Sequence, residues 1–93
     1  MHIDWLYSFI ESVKAGSFSK ASEQRNLSQP ALSKQIQNLE NYLQVSLFHR
    51  TPQGIDFTKA GEHAYPLIEQ ITEQLNTLIH EMKSFDKPNA ITI

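Results

Sequence analysis

"SFSKASEQRNLSQPALSKQIQNLENYL", Ser17 to Leu43, contains two helix-like runs separated by a few residues, and the second opens on Ser-Gln-Pro. In that second run Leu32, Ile36, Leu39 and Leu43 step by four, three and four residues, so they gather on one stripe of a helix that faces a core. Gln29, Ser33 and Gln37 step by four on another face, with Pro30 and Lys34 beside them. Ser28 is placed to cap this helix, and Pro30 is harmless in its first turn, where the missing amide has no intrahelical acceptor. The fold turns on what that outer face can touch. Glutamine pairs bidentately with adenine, serine donates or accepts, and lysine reaches guanine or phosphate. A solvated helix face carries the same residue types, so the face alone does not decide.

Working outward, Ile3, Leu6, Tyr7, Ile10 and Val13 fall at helical spacing and Gly16 follows where a left-handed cap sits, which predicts a first helix over about residues 3–15. Ser17 and Ser19 offer cap hydroxyls for a short second helix, about residues 20–26, and Leu27 turns inward before the third helix, which runs to about Leu43. Beyond it the period changes. The segments 47–50 and 55–57 flank Thr51-Pro52-Gln53-Gly54 and predict a hairpin with a Pro/Gly turn. A short helix, a tight turn, a capped second helix and then a hairpin describe a winged helix-turn-helix, in which the third helix fills the major groove and the wing reaches an adjacent phosphate or the minor groove.

Thr58 caps a long fourth helix. Its apolar residues Ala64, Ile68, Ile71, Leu75, Leu78, Met82 and Phe85 repeat every 3.5 residues, a stripe that calls for a partner helix. Pro66 inside this pattern predicts a kink. In the closing "KPNAITI", Pro88 blocks a helix and Ile91-Thr92-Ile93 alternates like an opening strand. The predicted organisation is a mainly α chain: a winged helix-turn-helix over residues 1–58 (three-helix body plus short β-hairpin wing), a long helix over 59–86 suited to dimerisation, and a segment of different character over 87–93.

Ninety-three residues leave little room for a deep enclosed active site. With no cysteine there is neither a disulfide framework nor a thiolate metal site, and no apolar run approaches the length that spans a bilayer. The expectation is a cytoplasmic protein without membrane attachment. His2, His49, His63 and His80 lack the short spacing of a helical zinc pair and have no carboxylate cluster, so neither a metal, a cofactor nor an enzymatic reaction is expected. The net charge of -2 hides an asymmetry: residues 17–61 carry five basic against three acidic residues, whereas residues 62–93 carry two against five. That pattern suits a binding half joined to a half that stays off a polyanion.

From Phe9 through Glu62, "SFSKASEQRNLSQPALSKQIQNLENYLQVSLFHR" followed by "FTKAGE" resembles the DNA-binding domain of LysR-type bacterial transcriptional regulators. The resemblance implies a partner in double-stranded DNA, an interrupted inverted repeat near a promoter, bound by a homodimer or, in the full-length protein, a tetramer built as a dimer of dimers. It also implies that 59–86 is the linker and dimerisation helix and that 87–93 is the start of a C-terminal effector-binding domain, most of it beyond this chain, which takes a small-molecule effector. Position by position it places base reading on Gln29, Pro30, Ser33 and Lys34, phosphate contacts on Ser17, Lys20, Ser28, Gln35, Arg50 and Thr51, and wing contact on Gln53. The dimer interface falls on Ala64, Ile68, Ile71, Leu75, Leu78 and Met82. Three departures stand out: Gln53 where a basic wing residue is frequent, Arg25 at a usually apolar position, and Gln44 in place of a glycine. The rival reading is a winged helix that docks protein through an assembly helix, which would respond far less to salt.

Overall fold

Side-chain caps start the helices. In the computed structural model, which describes residues 1–85, α1 (Ile3–Ala15) begins where His2 Nδ1 accepts from the Asp4 amide at 3.1 Å. The Ser17 hydroxyl accepts from the Lys20 amide at 3.1 Å to open α2 (Phe18–Gln24), and Ser28 accepts from Ala31 at 3.2 Å to open α3 (Gln29–Leu43). Each serine cap contributes about 1 kcal/mol. Because Ser17 and not Ser19 is the cap, α2 lies two residues earlier than the sequence predicts. It ends before Asn26, which turns left-handed at φ 57°, a conformation asparagine tolerates better than most. The Leu27 amide then reaches back to the Ser22 carbonyl at 2.8 Å and sets the entry to α3.

Gly16 ends α1 in the left-handed region, as expected. Gln44 ends α3 there as well, at φ 60° and ψ 39°, so the turn keeps its form without a glycine. That conformation costs a residue bearing a Cβ roughly 1–2 kcal/mol, of which a glycine gives back about 0.4–1 kcal/mol through its freer unfolded chain. Gln44→Gly is therefore expected to raise stability by about 0.5–1 kcal/mol, read as a higher urea midpoint at unchanged slope. A lower midpoint would contradict the strain.

The core joins Leu6, Phe9 and Ile10 of α1 to Phe18 and Ala21 of α2, Leu32, Ile36 and Leu39 of α3, and Leu47 and Ile68. Leu43, expected on this stripe, is 42% exposed because α3 has by then run past the body. Strands β1 (Phe48–Thr51) and β2 (Gly54–Phe57) pair antiparallel, with Phe48 opposite Phe57, Arg50 opposite Ile55 and Thr51 opposite Gly54. Phe48 and Phe57 stack at 5.9 Å, and Phe48 lies 5.2 Å from Phe9, so the root of the wing is fixed in the core. The loop Pro52-Gln53 closes the hairpin. Gly54 sits at φ 141°, and a Cβ there would meet the Gly16 carbonyl oxygen at 2.7 Å, so the wing is held against the end of α1.

Thr58 clasps the last element, α4 (Lys59–Phe85): its hydroxyl donates to the Ser46 carbonyl at 2.6 Å and accepts from the Gly61 amide at 2.9 Å. The helix continues through Pro66. Its first half packs against the body. Ala64 and Tyr65 pack on the core and Ile68 is 5% exposed within it. The Tyr7 hydroxyl donates to Asn76 Oδ1 at 3.0 Å, a tie from α1 to α4. Every residue from Thr77 to Phe85 is exposed. The expected strand at 91–93, and the whole segment 87–93, lie outside the described residues.

Candidate nucleic-acid interface

The outer face of α3 projects as the four-residue spacing requires. Gln29, Pro30, Lys34 and Gln37 are exposed and Ser33 is half-buried. Between this face and β1 runs a groove of about 490 Å³ lined by Pro30, Ser33, Lys34 and Gln37 from α3, Arg50 from β1 and Phe18 from α2. Arg50 bridges the two walls: its Nη2 donates to Ser33 Oγ at 3.3 Å and its guanidinium lies 4.9 Å over the Phe18 ring. Of the sequence-predicted residues, Pro30, Ser33, Lys34 and Arg50 thus meet in one groove. Gln29 stands at the N-terminus of α3 and Gln53 at the exposed hairpin loop.

Ser17 and Ser28 are both N-caps. Each accepts an amide proton with an oxygen lone pair and keeps its own hydroxyl proton for an outside acceptor, at a helix end whose unpaired amides favour an anion. Lys20 is exposed in the first turn of α2, and Thr51 is half-buried beside the hairpin loop. Gln35 goes elsewhere. Its side-chain oxygen accepts from the Ser8 hydroxyl of α1, which places the carboxamide at the helix–helix seam with only its nitrogen left to donate.

Arg25, the cation at a usually apolar position, resolves as a bridge within the body. It lies 3.4 Å from Asp4 Oδ1, donates through Nε to Ser8 Oγ at 3.3 Å, and covers the Tyr7 ring at 5.8 Å. Its charge is spent inside the molecule, whereas Lys20, Lys34 and Arg50 have no carboxylate within 4.0 Å among the described residues. The one acid lining the groove, Glu40, is tied down, accepting from the amides of Leu47 at 2.6 Å and Phe48 at 3.3 Å. Glu40 and Phe18 are the residues that sequence reasoning missed at this site. An acid placed seven residues before a strand's first amides was the available signal. Away from the groove, burial and then the Glu69 carboxylate, to which its hydroxyl donates, hold the Tyr65 phenol above its usual pKa, so it stays protonated through neutral pH.

The stripe expected to pair two copies divides. Ala64 and Ile68 are taken by the molecule's own core because that end of α4 lies over α1. Leu75 is half-buried, while Ile71, Leu78 and Met82 are 48%, 53% and 50% exposed. Leu67, Ile79 and Phe85 are also exposed apolar residues of α4, the first two not anticipated by a strict 3.5-residue repeat. Among the described residues no helix is long and apolar enough to cross a membrane.

Fold and site together define a winged helix-turn-helix whose outer α3 face is polar and beside which Lys20, Lys34 and Arg50 have no carboxylate within 4.0 Å among the described residues. Residues 3–62 match the model described as bacterial regulatory helix-turn-helix protein, lysR family, and the chain belongs to that family. It is 34% identical over 79 residues to the HTH-type transcriptional regulator YjiE of Escherichia coli strain K12, covering 85% of this chain and 26% of that protein. With TdcA of the same strain it shares 30% identity over 88 residues, 95% of this chain and 28% of the relative. The chain therefore spans about a quarter of the length of these curated relatives. Among solved structures, the complex of the BenM DNA-binding domain with catB site 1 DNA superposes with a TM-score of 0.86 at 29% identity, covering 91% of this chain and 96% of that one. The CbnR DNA-binding domain–DNA complex gives 0.85 at 29%, covering 94% and 100%.

Proposed function

We propose that this chain is the sequence-specific DNA-binding part of a transcriptional regulator. Its α3 enters the major groove, Gln29, Pro30, Ser33 and Lys34 face base edges, and the hairpin with Gln53 at its tip lies at the neighbouring minor groove. Ser17, Lys20, Ser28, Arg50 and Thr51 surround that face with phosphate donors, and Gln35 adds its amide nitrogen from the seam with α1. The observation that carries this reading is the groove where Ser33 and Lys34 meet Arg50, whose cations have no carboxylate within 4.0 Å among the described residues, its lining acid Glu40 being held by backbone amides. The DNA complexes solved for BenM and CbnR domains of the same fold support it.

Two copies joined along the distal half of α4 present two reading helices to an interrupted inverted repeat near a promoter, and in a longer protein such pairs assemble as a dimer of dimers. A C-terminal domain outside this chain takes the small-molecule effector, and the protein works in the cytoplasm, where the chromosome is. No reaction is assigned to it, in keeping with relatives that are transcriptional regulators.

A salt titration tests the proposal. Each phosphate neutralised releases counterions, so the logarithm of affinity falls by roughly 0.9 per phosphate for each decade of salt. Binding to duplex DNA is expected to weaken steeply between about 50 and 200 mM salt. Lys34→Ala should weaken selected and random duplexes alike and reduce the slope by about one per subunit. A binding reaction indifferent to salt would instead favour a module that docks protein.

A further inference from the structure

We propose that Arg50 fixes the polarity of Ser33, making position 33 a hydrogen-bond donor that reads an acceptor on the base edge: purine N7, guanine O6 or thymine O4. The proposal rests on α3 being the DNA-reading helix and goes beyond it to the chemistry of one contact and to a wing residue that sets it. A helical serine or threonine commonly returns its proton to a carbonyl of its own helix. Ser12 does so to Ser8 at 2.8 Å, Ser22 to Ser19 at 2.7 Å, Thr72 to Glu69 at 2.9 Å and Ser84 to Glu81 at 2.7 Å. Ser33 makes no such bond among the described residues; its oxygen takes a proton from Arg50 Nη2 at 3.3 Å. A guanidinium has five N–H donors and no acceptor, so in this pair the serine can only accept. The hydroxyl proton is left pointing away from Arg50. The adjacent positive charge also disfavours a second N–H approaching the same oxygen, and an amino group of adenine or cytosine is such an N–H.

The guanidinium is held where this requires. It lies 4.9 Å over the ring of Phe18, which is 7% exposed and set edge-on to Phe48 at 5.6 Å. Phe48 in turn belongs to the strand that Glu40 of α3 grips through the Leu47 and Phe48 amides. The wing and the reading helix are thereby one rigid piece around the Ser33 hydroxyl. Arg50 is a positioning residue for a base contact as well as a candidate phosphate contact.

The probe is a duplex that this chain selects from a random library, compared with the duplex selected by Ser33→Ala to find the base pair at which preference relaxes. At that pair the base acceptors are removed one at a time, with 7-deazapurines, 2-aminopurine for guanine and 5-methyl-2-pyrimidinone for thymine, and the amino donors are removed separately, with purine for adenine and 2-pyrimidinone for cytosine. Losing the acceptor is expected to weaken the parent chain about three- to tenfold and to leave Ser33→Ala unaffected; losing the amino group should leave the ratio of the two proteins unchanged. Arg50→Met, checked for folding by circular dichroism, should bind all duplexes more weakly and also accept amino-bearing bases at that pair. A merely structural or phosphate role for Arg50 predicts uniform weakening with the preference intact, and that result overturns the proposal, as does a Ser33-dependent loss on removing the amino group alone. If the chain selects a duplex but Ser33→Ala changes preference nowhere, the polarity assignment falls while DNA reading stands; if it selects nothing over random DNA, both fall.

Discussion

Gly61→Ala is expected to destabilise the chain by about 3 kcal/mol or more, at the upper end of what overpacking costs. A Cβ on Gly61 would sit 2.1 Å from the Leu47 carbonyl oxygen and 2.9 Å from a ring carbon of Phe57. The first neighbour is backbone and has no rotamer with which to yield. Leu47 O also accepts from the Thr58 amide at 3.0 Å, in the clasp where Thr58 and the Gly61 amide open α4. The methyl group therefore separates α4 from the wing, or breaks the cap, and either displaces the strand that carries Arg50. Urea unfolding followed by far-ultraviolet circular dichroism measures the loss. An unfolding free energy within about 0.5 kcal/mol of the parent would mean that α4 and the wing pack with slack this geometry excludes.

The second large effect is on assembly. Ile71→Glu together with Leu78→Glu should convert the pair of copies into monomers and weaken binding to a selected inverted repeat roughly 100-fold or more, since two linked contacts gain about 10²–10⁴ over one. Both side chains are about half exposed, and beyond Asn76 α4 has no residue covered by its own body. The stretch that exposes Leu78, Ile79, Met82 and Phe85 over a little more than two turns has no partner among the described residues. The change should leave the melting transition of the helical body nearly unmoved, because the core ends at Ile68 and Thr72. The neutral pair Ile71→Gln with Leu78→Gln should behave alike, which separates lost pairing from added negative charge. Sedimentation beside a gel-shift titration reads both quantities. A double variant that stays dimeric, or a monomer that holds the full repeat as tightly as the parent, contradicts this use of α4.

Local chemistry made most of this fold readable in the chain. Ser17, Ser28 and Thr58 are caps within a few residues of the amides they bind, and Gly54 closes a hairpin whose strands are adjacent in sequence. The outer face of α3 follows from a period of four residues, so Gln29, Ser33 and Lys34 were visible as a set. What was hidden depends on contacts between distant residues. Gln35 lies on the correct turn of α3, but its oxygen is claimed by Ser8, 27 positions earlier. Ala64 and Ile68 fit the 3.5-residue stripe, yet α1 covers them, and a sequence period cannot say where along a helix the body stops. Arg25 showed as a misplaced charge whose partner Asp4 lies in another helix. The Arg50–Ser33 bond joins residues 17 apart through the arrangement of wing and helix, and no local pattern announces it.

The central claim is that the exposed N-terminal face of α3 reads base sequence, and the ratio of affinities for a selected duplex and a random one tests it most directly. The parent and Gln29→Ala are compared at a single salt concentration, so the phosphate contribution is common to both. Gln29 is exposed at the first position of α3, so its removal should leave folding unchanged. Gln29→Ala is predicted to lose about 1–3 kcal/mol on the selected duplex and almost nothing on random DNA, collapsing the ratio. An unchanged ratio would mean that α3 is not the reader.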